Sequence, residues 1–201
     1  MDKNSYALGM SIAHNLMQSG VTELAIDDFA AGLKDTLLGN KTALSIEEAG
    51  RALDAFFARL EKDQKARKAD LAAKMKEEGE AWLKRNATAE GVKVLQSGLQ
   101  YKVLKSGSGK RPGPSNRVKC HYEGTFVDGR KFDSSYDRRE PAVFGVTQVI
   151  AGWTEALQLM NEGSVWELYI PYRLAYGEAG AGSSIPPCAA LKFKVELLEV
   201  L

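Results

Sequence analysis

Two hydrophobic periods divide this chain, and one gives way to the other near residue 90. In the first part apolar residues recur every three or four positions. Tyr6, Met10, Ala13 and Met17 form one stripe up to Gly20, and Phe29, Leu33 and Leu37 a second up to Gly39, a residue suited to the left-handed conformation that closes a helix. A third stripe, Ile46, Ala49, Leu53, Phe56 and Leu60, follows Ser45 and Glu48, whose spacing makes a capping box. The pattern predicts two short amphipathic helices and a long third one over residues 45–88, free of proline and weakened at Gly79.

From Glu61 to Asp70 the long helix reads EKDQKARKAD, with two alanines on its apolar side and charge pairs available at Glu61–Lys65 and Asp63–Arg67. A helix that is polar all round bridges through solvent. Some 44 residues at about 1.5 Å each would extend about 65 Å, the length of a stalk. The alternative is a broken pair of helices packed on one domain. Residues 1–60 form too small a core to be secure alone, and pairing with a second copy repairs that deficit. Homodimerisation through residues 1–60, with two-fold symmetry, is the economical expectation.

After residue 97 the period becomes two. RVKCHYEG sets Val118, Cys120 and Tyr122 against Arg117, Lys119 and His121, and LKFKVELL sets Leu191, Phe193, Val195 and Leu197 against Lys192, Lys194 and Glu196. SGLQYKVL and SVWELYIP add strands, and Trp153, Leu157 and Met160 in GWTEALQLM mark one short helix. Strands with one wet and one buried face make an antiparallel sheet covered on one side. The fold class is α+β: an all-α N-terminal module and stalk helix, then four or five antiparallel strands wrapped on one short helix.

Composition changes this picture little. With 201 residues, a net charge of +1 and 44% apolar residues, the chain holds one large or two small domains and has no bulk charge for nucleic acid or a membrane surface. No window approaches a membrane span, and MDKNSYALGM has no basic stretch followed by an apolar core. A cytoplasmic protein is expected; a periplasmic or surface location would require an export signal already removed. Cys120 and Cys188 have neither metal spacing nor a disulfide framework, which fits a reducing compartment.

Candidate chemistry is sparse. His14 and His121 fall in different parts of the chain, and Cys120 and His121 are strand neighbours that face opposite ways, so no metal site is expected. GSGK at 107–110 and GEAGAGSS at 177–184 lack the glycine spacing or the lysine of a phosphate loop, and one histidine in this half leaves no Ser-His-acid triad. Aromatic and aliphatic residues instead gather at the turns and around the one helix, and the loop from Tyr172 to Pro187 is long for a hairpin connection. In HYEGTFVDGRKFDSS, Asp128-Gly129 signals a tight hairpin in which both central positions want positive φ. Phe132 and Asp133 follow it as neighbours, and both reach one site only if the ribbon is bulged there. That leaves Asp133 as a catalytic acid, a turn cap or an orienting group.

HYEGTFVDGRKFDSSYDR, VIAGW, AYG, SIPP and LKFKVELLEV, in this order, resemble the FK506-binding-protein family of peptidyl-prolyl cis/trans isomerases over residues 98–201. The helical first half is similar to the bacterial dimeric subgroup of the macrophage infectivity potentiator type and its cytoplasmic relatives. The resemblance implies a dimerisation module at 1–60, an overlapping stalk helix at 45–88 and an isomerase domain at 89–201. It implies a catalytic pocket of Tyr122, Phe132, Asp133, Ile150, Trp153, Tyr176 and Phe193, with Val149, Ile185, Arg138 and Phe144 binding substrate and no cofactor. Trp153 would be the floor under the proline ring, and the Ile150 N–H and Tyr176 hydroxyl would hold peptide carbonyls. Ala142 stands where well-known members carry a wall aromatic, and Ala181 and Ser184 replace larger loop residues, so a more open pocket is expected.

The activity implied is isomerisation of prolyl bonds in unfolded or partly folded chains, with chaperone activity as a dimer and macrolides of the FK506 and rapamycin type as implied ligands. The alternative is a proline-binding holdase with little turnover. Rotation about such a bond meets a barrier of about 20 kcal/mol, mostly lost amide resonance, and no bond is cleaved. A site with no nucleophile is therefore no obstacle: a pocket that prefers the twisted amide suffices.

Overall fold

The computed structural model describes residues 1–201. The chain divides into two compact units, Met1–Arg67 and Lys68–Leu201. In the first, α1 (Lys3–Gln18) starts at Asp2, whose carboxylate accepts the Ser5 N–H at 2.8 Å, and α2 (Ile26–Leu38) ends at Gly39 with φ 66°. α3 (Ile46–Asn86) opens on the capping box: Ser45 Oγ accepts the Glu48 N–H at 3.2 Å, and the Glu48 carboxylate accepts the Ser45 N–H at 2.9 Å. The boundary between the units falls inside this continuous helix.

The stripes of the first unit are helical as the spacing predicts, but open. Val21 is its only buried hydrophobic residue, while Met10, Met17, Phe29, Leu33, Leu37 and Leu53 are exposed. An apolar cavity of about 530 Å³ lies among Ile12, Leu16, Met17, Leu24, Phe29 and Leu33.

In the second unit the end of α3 is seated by its own residues. Gln100 Nε2 donates to the Leu83 carbonyl at 2.9 Å, Asn86 Nδ2 donates to Gln100 Oε1 at 2.8 Å, and Gly79 lets the helix approach Ala190, where an added Cβ would lie 2.9 Å from the alanine Cβ. Then follow β1 (Val92–Val94), β2 (Gln100–Lys105), β3 (Arg117–Phe126), β4 (Lys131–Ser134), β5 (Ala142–Gly145), α4 (Ala151–Leu157), β6 (Val165–Ile170) and β7 (Leu191–Val200). The sheet is antiparallel and ordered β1-β2-β6-β7-β3-β4, with β5 also paired to β3. It has seven strands where four or five are expected from sequence, because β1, β4 and β5 are only three or four residues long and too short to show a period.

The core lies between the sheet and α4: Leu157, Leu168, Ile170, Leu191, Val195 and Leu197 are almost wholly buried. Gly152 sets the depth of that helix, since a Cβ there would lie 2.7 Å from Ile170 Cγ2. The hairpin after β3 differs from the expected two-residue turn. Gly129 alone has positive φ, 87°, and its N–H donates to the Phe126 carbonyl at 3.0 Å, while the Phe126 N–H donates to the Arg130 carbonyl at 2.9 Å. This is a longer loop in which only the glycine is left-handed, so Asp128 keeps negative φ and uses its carboxylate to accept the Arg130 N–H at 3.0 Å.

Candidate active site

Beside α4 the inner faces of β3, β4 and β7 bring aromatic rings together. Trp153, in the first turn of α4, is 4% exposed and meets Phe193 at 5.3 Å and 88°, Tyr122 at 5.4 Å and 85°, and Phe144 at 5.8 Å and 81°. Phe132 meets Phe193 at 5.5 Å and 87°. All four are edge-to-face contacts, the geometry favoured by ring quadrupoles. Gly124 permits the Phe132 contact, since a Cβ there would lie 2.6 Å from Phe132 Cζ and 2.8 Å from Phe193 Cε1.

The rings enclose an open cavity of about 400 Å³ lined by Tyr122, Phe132, Asp133, Phe144, Gln148, Val149, Ile150, Trp153, Tyr176 and Phe193. Phe132 and Asp133 both reach it because the ladder slips between them. Gly124 pairs with Asp133 and Thr125 with Lys131, which leaves Phe132 unpaired in a bulge.

At the rim three side chains are tied in a ring. The Tyr122 hydroxyl donates to Asp133 Oδ2 at 2.5 Å, Arg138 Nη2 donates to the Tyr122 hydroxyl at 2.8 Å, and Arg138 also donates to Asp133 as an ion pair. Burial pushes the Asp133 carboxyl up, but the hydrogen bonds from Tyr122 and Arg138 outweigh it and hold the group below its ordinary value. Burial, and then the bond to Asp133, push the Tyr122 phenol up. Asp133 is therefore an ionised acceptor and Tyr122 a neutral donor, an arrangement that orients groups at the rim.

A carboxyl with a lowered folded pKa is fully ionised above its unfolded value, and its contribution is lost only as pH falls through the still lower folded value. Asp133→Asn is expected to lower kcat/KM several-fold by a factor that stays constant from about pH 5 to about pH 8, the interval in which imidazole-like groups titrate. A deficit that fades toward the acid end in paired pH–rate profiles would contradict an ionised orienting role.

Of the residues singled out from sequence, Arg138 stands behind the rim and reaches the cavity through Asp133 and Tyr122. Ile185 does not line it: it is buried in the core, joined to Ala181 by backbone hydrogen bonds of 2.9 and 3.0 Å. Ala142 opens β5, and the lining from that strand is Phe144. Gln148 and Gly124 escaped sequence reasoning; Gln148 stands just before the apolar pair Val149-Ile150, and only that neighbourhood marks it. The Ile150 N–H finds no acceptor within the chain, and the Tyr176 hydroxyl has no partner. Cys120 is no nucleophile, because burial pushes its thiol up to about 12.

A sheet wrapped on one short helix, with an aromatic cavity beside that helix, is the arrangement expected of the FK506-binding class. Residues 109–198 match the family described as FKBP-type peptidyl-prolyl cis-trans isomerase, and residues 1–103 match the domain amino terminal to it. The chain belongs to the FKBP-type peptidyl-prolyl cis-trans isomerases and is an enzyme of that activity. It is 45% identical to the FKBP-type 22 kDa peptidyl-prolyl cis-trans isomerase of Escherichia coli, over 98% of this chain and 94% of the relative. It is 40% identical to the outer membrane protein MIP of Legionella longbeachae, over 99% and 85%. Among solved structures, FkpA from Escherichia coli superposes with a TM-score of 0.79 at 38% identity, over 98% of this chain and 95% of that one. A peptidyl-prolyl cis-trans isomerase from Pseudomonas syringae superposes with a TM-score of 0.60 at 36% identity, over 64% and 95%. No helix is long and apolar enough to cross a membrane.

Proposed function

We propose that the aromatic cavity binds a prolyl residue of an unfolded or partly folded polypeptide and lowers the rotation barrier by preferring the twisted amide. Trp153 is the floor, and Tyr122, Phe132 and Phe193 are the walls. The Ile150 N–H and the Tyr176 hydroxyl receive carbonyls on either side. The observation that carries this reading is an apolar cavity floored by Trp153, whose polar groups lie at the rim and include no nucleophile or free acid. Such a site strips water from the amide and stabilises charge-separated resonance poorly, which favours the twisted form by differential binding. Macrolides of the FK506 and rapamycin type would occupy the same cavity.

The protein is further proposed to act as a homodimer. A unit of 67 residues with Val21 as its only buried hydrophobic side chain leaves its apolar stripes uncovered, and a second copy of the same unit covers them. Two sites in one dimer would hold a client at two points, the basis for chaperone activity. Refolding of a client limited by proline isomerisation tests the enzymatic part, with the rate expected to rise in proportion to added protein. Suppressed aggregation with an unchanged slow phase would leave a holdase.

A further inference from the structure

Ser135 lies outside the cavity, yet it is completely buried and grips Tyr122 from behind. We infer that Ser135, with His121 behind it, is a positioning residue for the isomerase site, fixing the Tyr122 backbone and thereby the phenol hydroxyl. This rests on the reading that Tyr122 belongs to that site.

Ser135 holds both polar groups of one peptide edge. Its Oγ accepts the Tyr122 N–H at 2.7 Å, and its own N–H donates to the Tyr122 carbonyl at 3.0 Å. The regular ladder between β3 and β4 has already ended at Glu123 and Ser134, so these bonds carry the hold one residue further. The hydroxyl also lies 2.9 Å from His121 Nδ1, whose tautomer decides which of the two donates, and 3.2 Å from the Tyr122 carbonyl, an acceptor for its hydrogen. A buried hydroxyl so surrounded has little rotational freedom.

His121 is itself held on the outer face of β3. Its ring stacks on Tyr136 at 4.6 Å and 15°, and the Tyr136 hydroxyl donates to Glu196 at 2.9 Å; Glu196 sits opposite His121 in the β3–β7 register. A chain of contacts thus runs from β7 through two stacked rings to Ser135. The other end of the Tyr122 circuit also depends on Ser135. The Glu140 N–H donates to the Ser135 carbonyl at 3.2 Å, closing the turn that carries Arg138, and Arg138 donates to the Tyr122 hydroxyl. One residue therefore anchors both the backbone of Tyr122 and the turn that supplies its hydroxyl with a donor.

A double-mutant cycle on kcat/KM with a short proline peptide tests this in the full chain. Ser135→Ala is expected to lower kcat/KM about fivefold, the worth of one neutral hydrogen bond. If Ser135 acts through the phenol hydroxyl, adding Ser135→Ala to Tyr122→Phe costs nothing more. Two reductions that multiply would overturn the inference, since a residue serving only stability would act alike in both backgrounds. Should Ser135→Ala fail to fold, the cycle is run with His121→Phe, which retains the stack on Tyr136 and removes the nitrogen. A reduction of about twofold that vanishes beside Tyr122→Phe is then expected, and either no reduction or a multiplicative one overturns the inference. A Tyr122→Phe variant as active as the wild type would instead remove Tyr122 from the site, and the inference with it.

Discussion

Trp153→Leu is expected to lower kcat/KM on proline peptides roughly 100-fold, equivalent to about 2.7 kcal/mol of lost transition-state binding. Three rings, those of Phe193, Tyr122 and Phe144, pack edge-to-face with this indole, so its removal deprives the cavity of its floor and its walls of their common support. The helix that carries it has little room to move in and compensate, because at Gly152 it is already so close that an added Cβ would lie 2.7 Å from Ile170 Cγ2. A loss of fold stability accompanies the change. Truncating a buried aromatic to alanine costs about 3–5 kcal/mol, and leucine fills part of that space.

Trp153→Phe separates the two effects. It keeps an aromatic floor and removes an indole N–H that is buried without a partner, so part of the packing loss is offset by deleting an unsatisfied donor. Activity within about tenfold of wild type for Trp153→Phe, against the much deeper loss for Trp153→Leu, is the expected pattern; it corresponds to less than 1.4 kcal/mol at the transition state. Equal turnover in all three proteins, measured at a temperature where each is folded, would place the reaction elsewhere.

Periodicity disclosed the elements that are long enough to repeat a pattern. The ten residues of β3 and of β7 alternate over several turns of the pleat, and α1 to α3 carry stripes with caps at Gly39 and Ser45. β4 and β5, four residues each, carry no usable period, although they deliver Phe132, Asp133 and Phe144 to the cavity. The adjacency of Phe132 and Asp133 did announce the bulge, because neighbours in a regular strand cannot share a face.

What stayed hidden depends on register and distance. Gly124 matters because Phe193 lies opposite it on β7, almost 70 residues further on, and its own side of the sequence gives no hint of that meeting. Ser135 is one of two adjacent serines, and only the end of the β3–β4 ladder decides which of them reaches Tyr122. Ile185 is likewise set by its surroundings: it is buried in the cluster that contains Trp153 and Phe193, and its backbone bridges to Ala181.

A chain beginning at Lys68 is expected to be monomeric in light scattering, to turn over short proline peptides within about twofold of wild type, and to lose most of its effect on protein refolding. α1 and α2 bury no residue of their own, and Leu33, Leu37, Phe29 and Met17 all face solvent. Apolar stripes left open on so small a unit are the kind of exposed patch that a partner surface covers. The unit Lys68–Leu201 by contrast contains the whole sheet, α4, the cavity lining and the seat of α3 at Gly79 and Leu83, so cutting before it removes no residue that touches the site. A short peptide fills one cavity and gains nothing from a second. In the proposed dimer a long client held at two points would rebind at an effective concentration that linked sites put in the millimolar range, an advantage of about 10²–10⁴-fold, and truncation would remove it. A truncated chain that stayed dimeric would assign self-association to the isomerase unit, and one that refolded proteins as fast as the full chain would separate folding activity from dimerisation altogether.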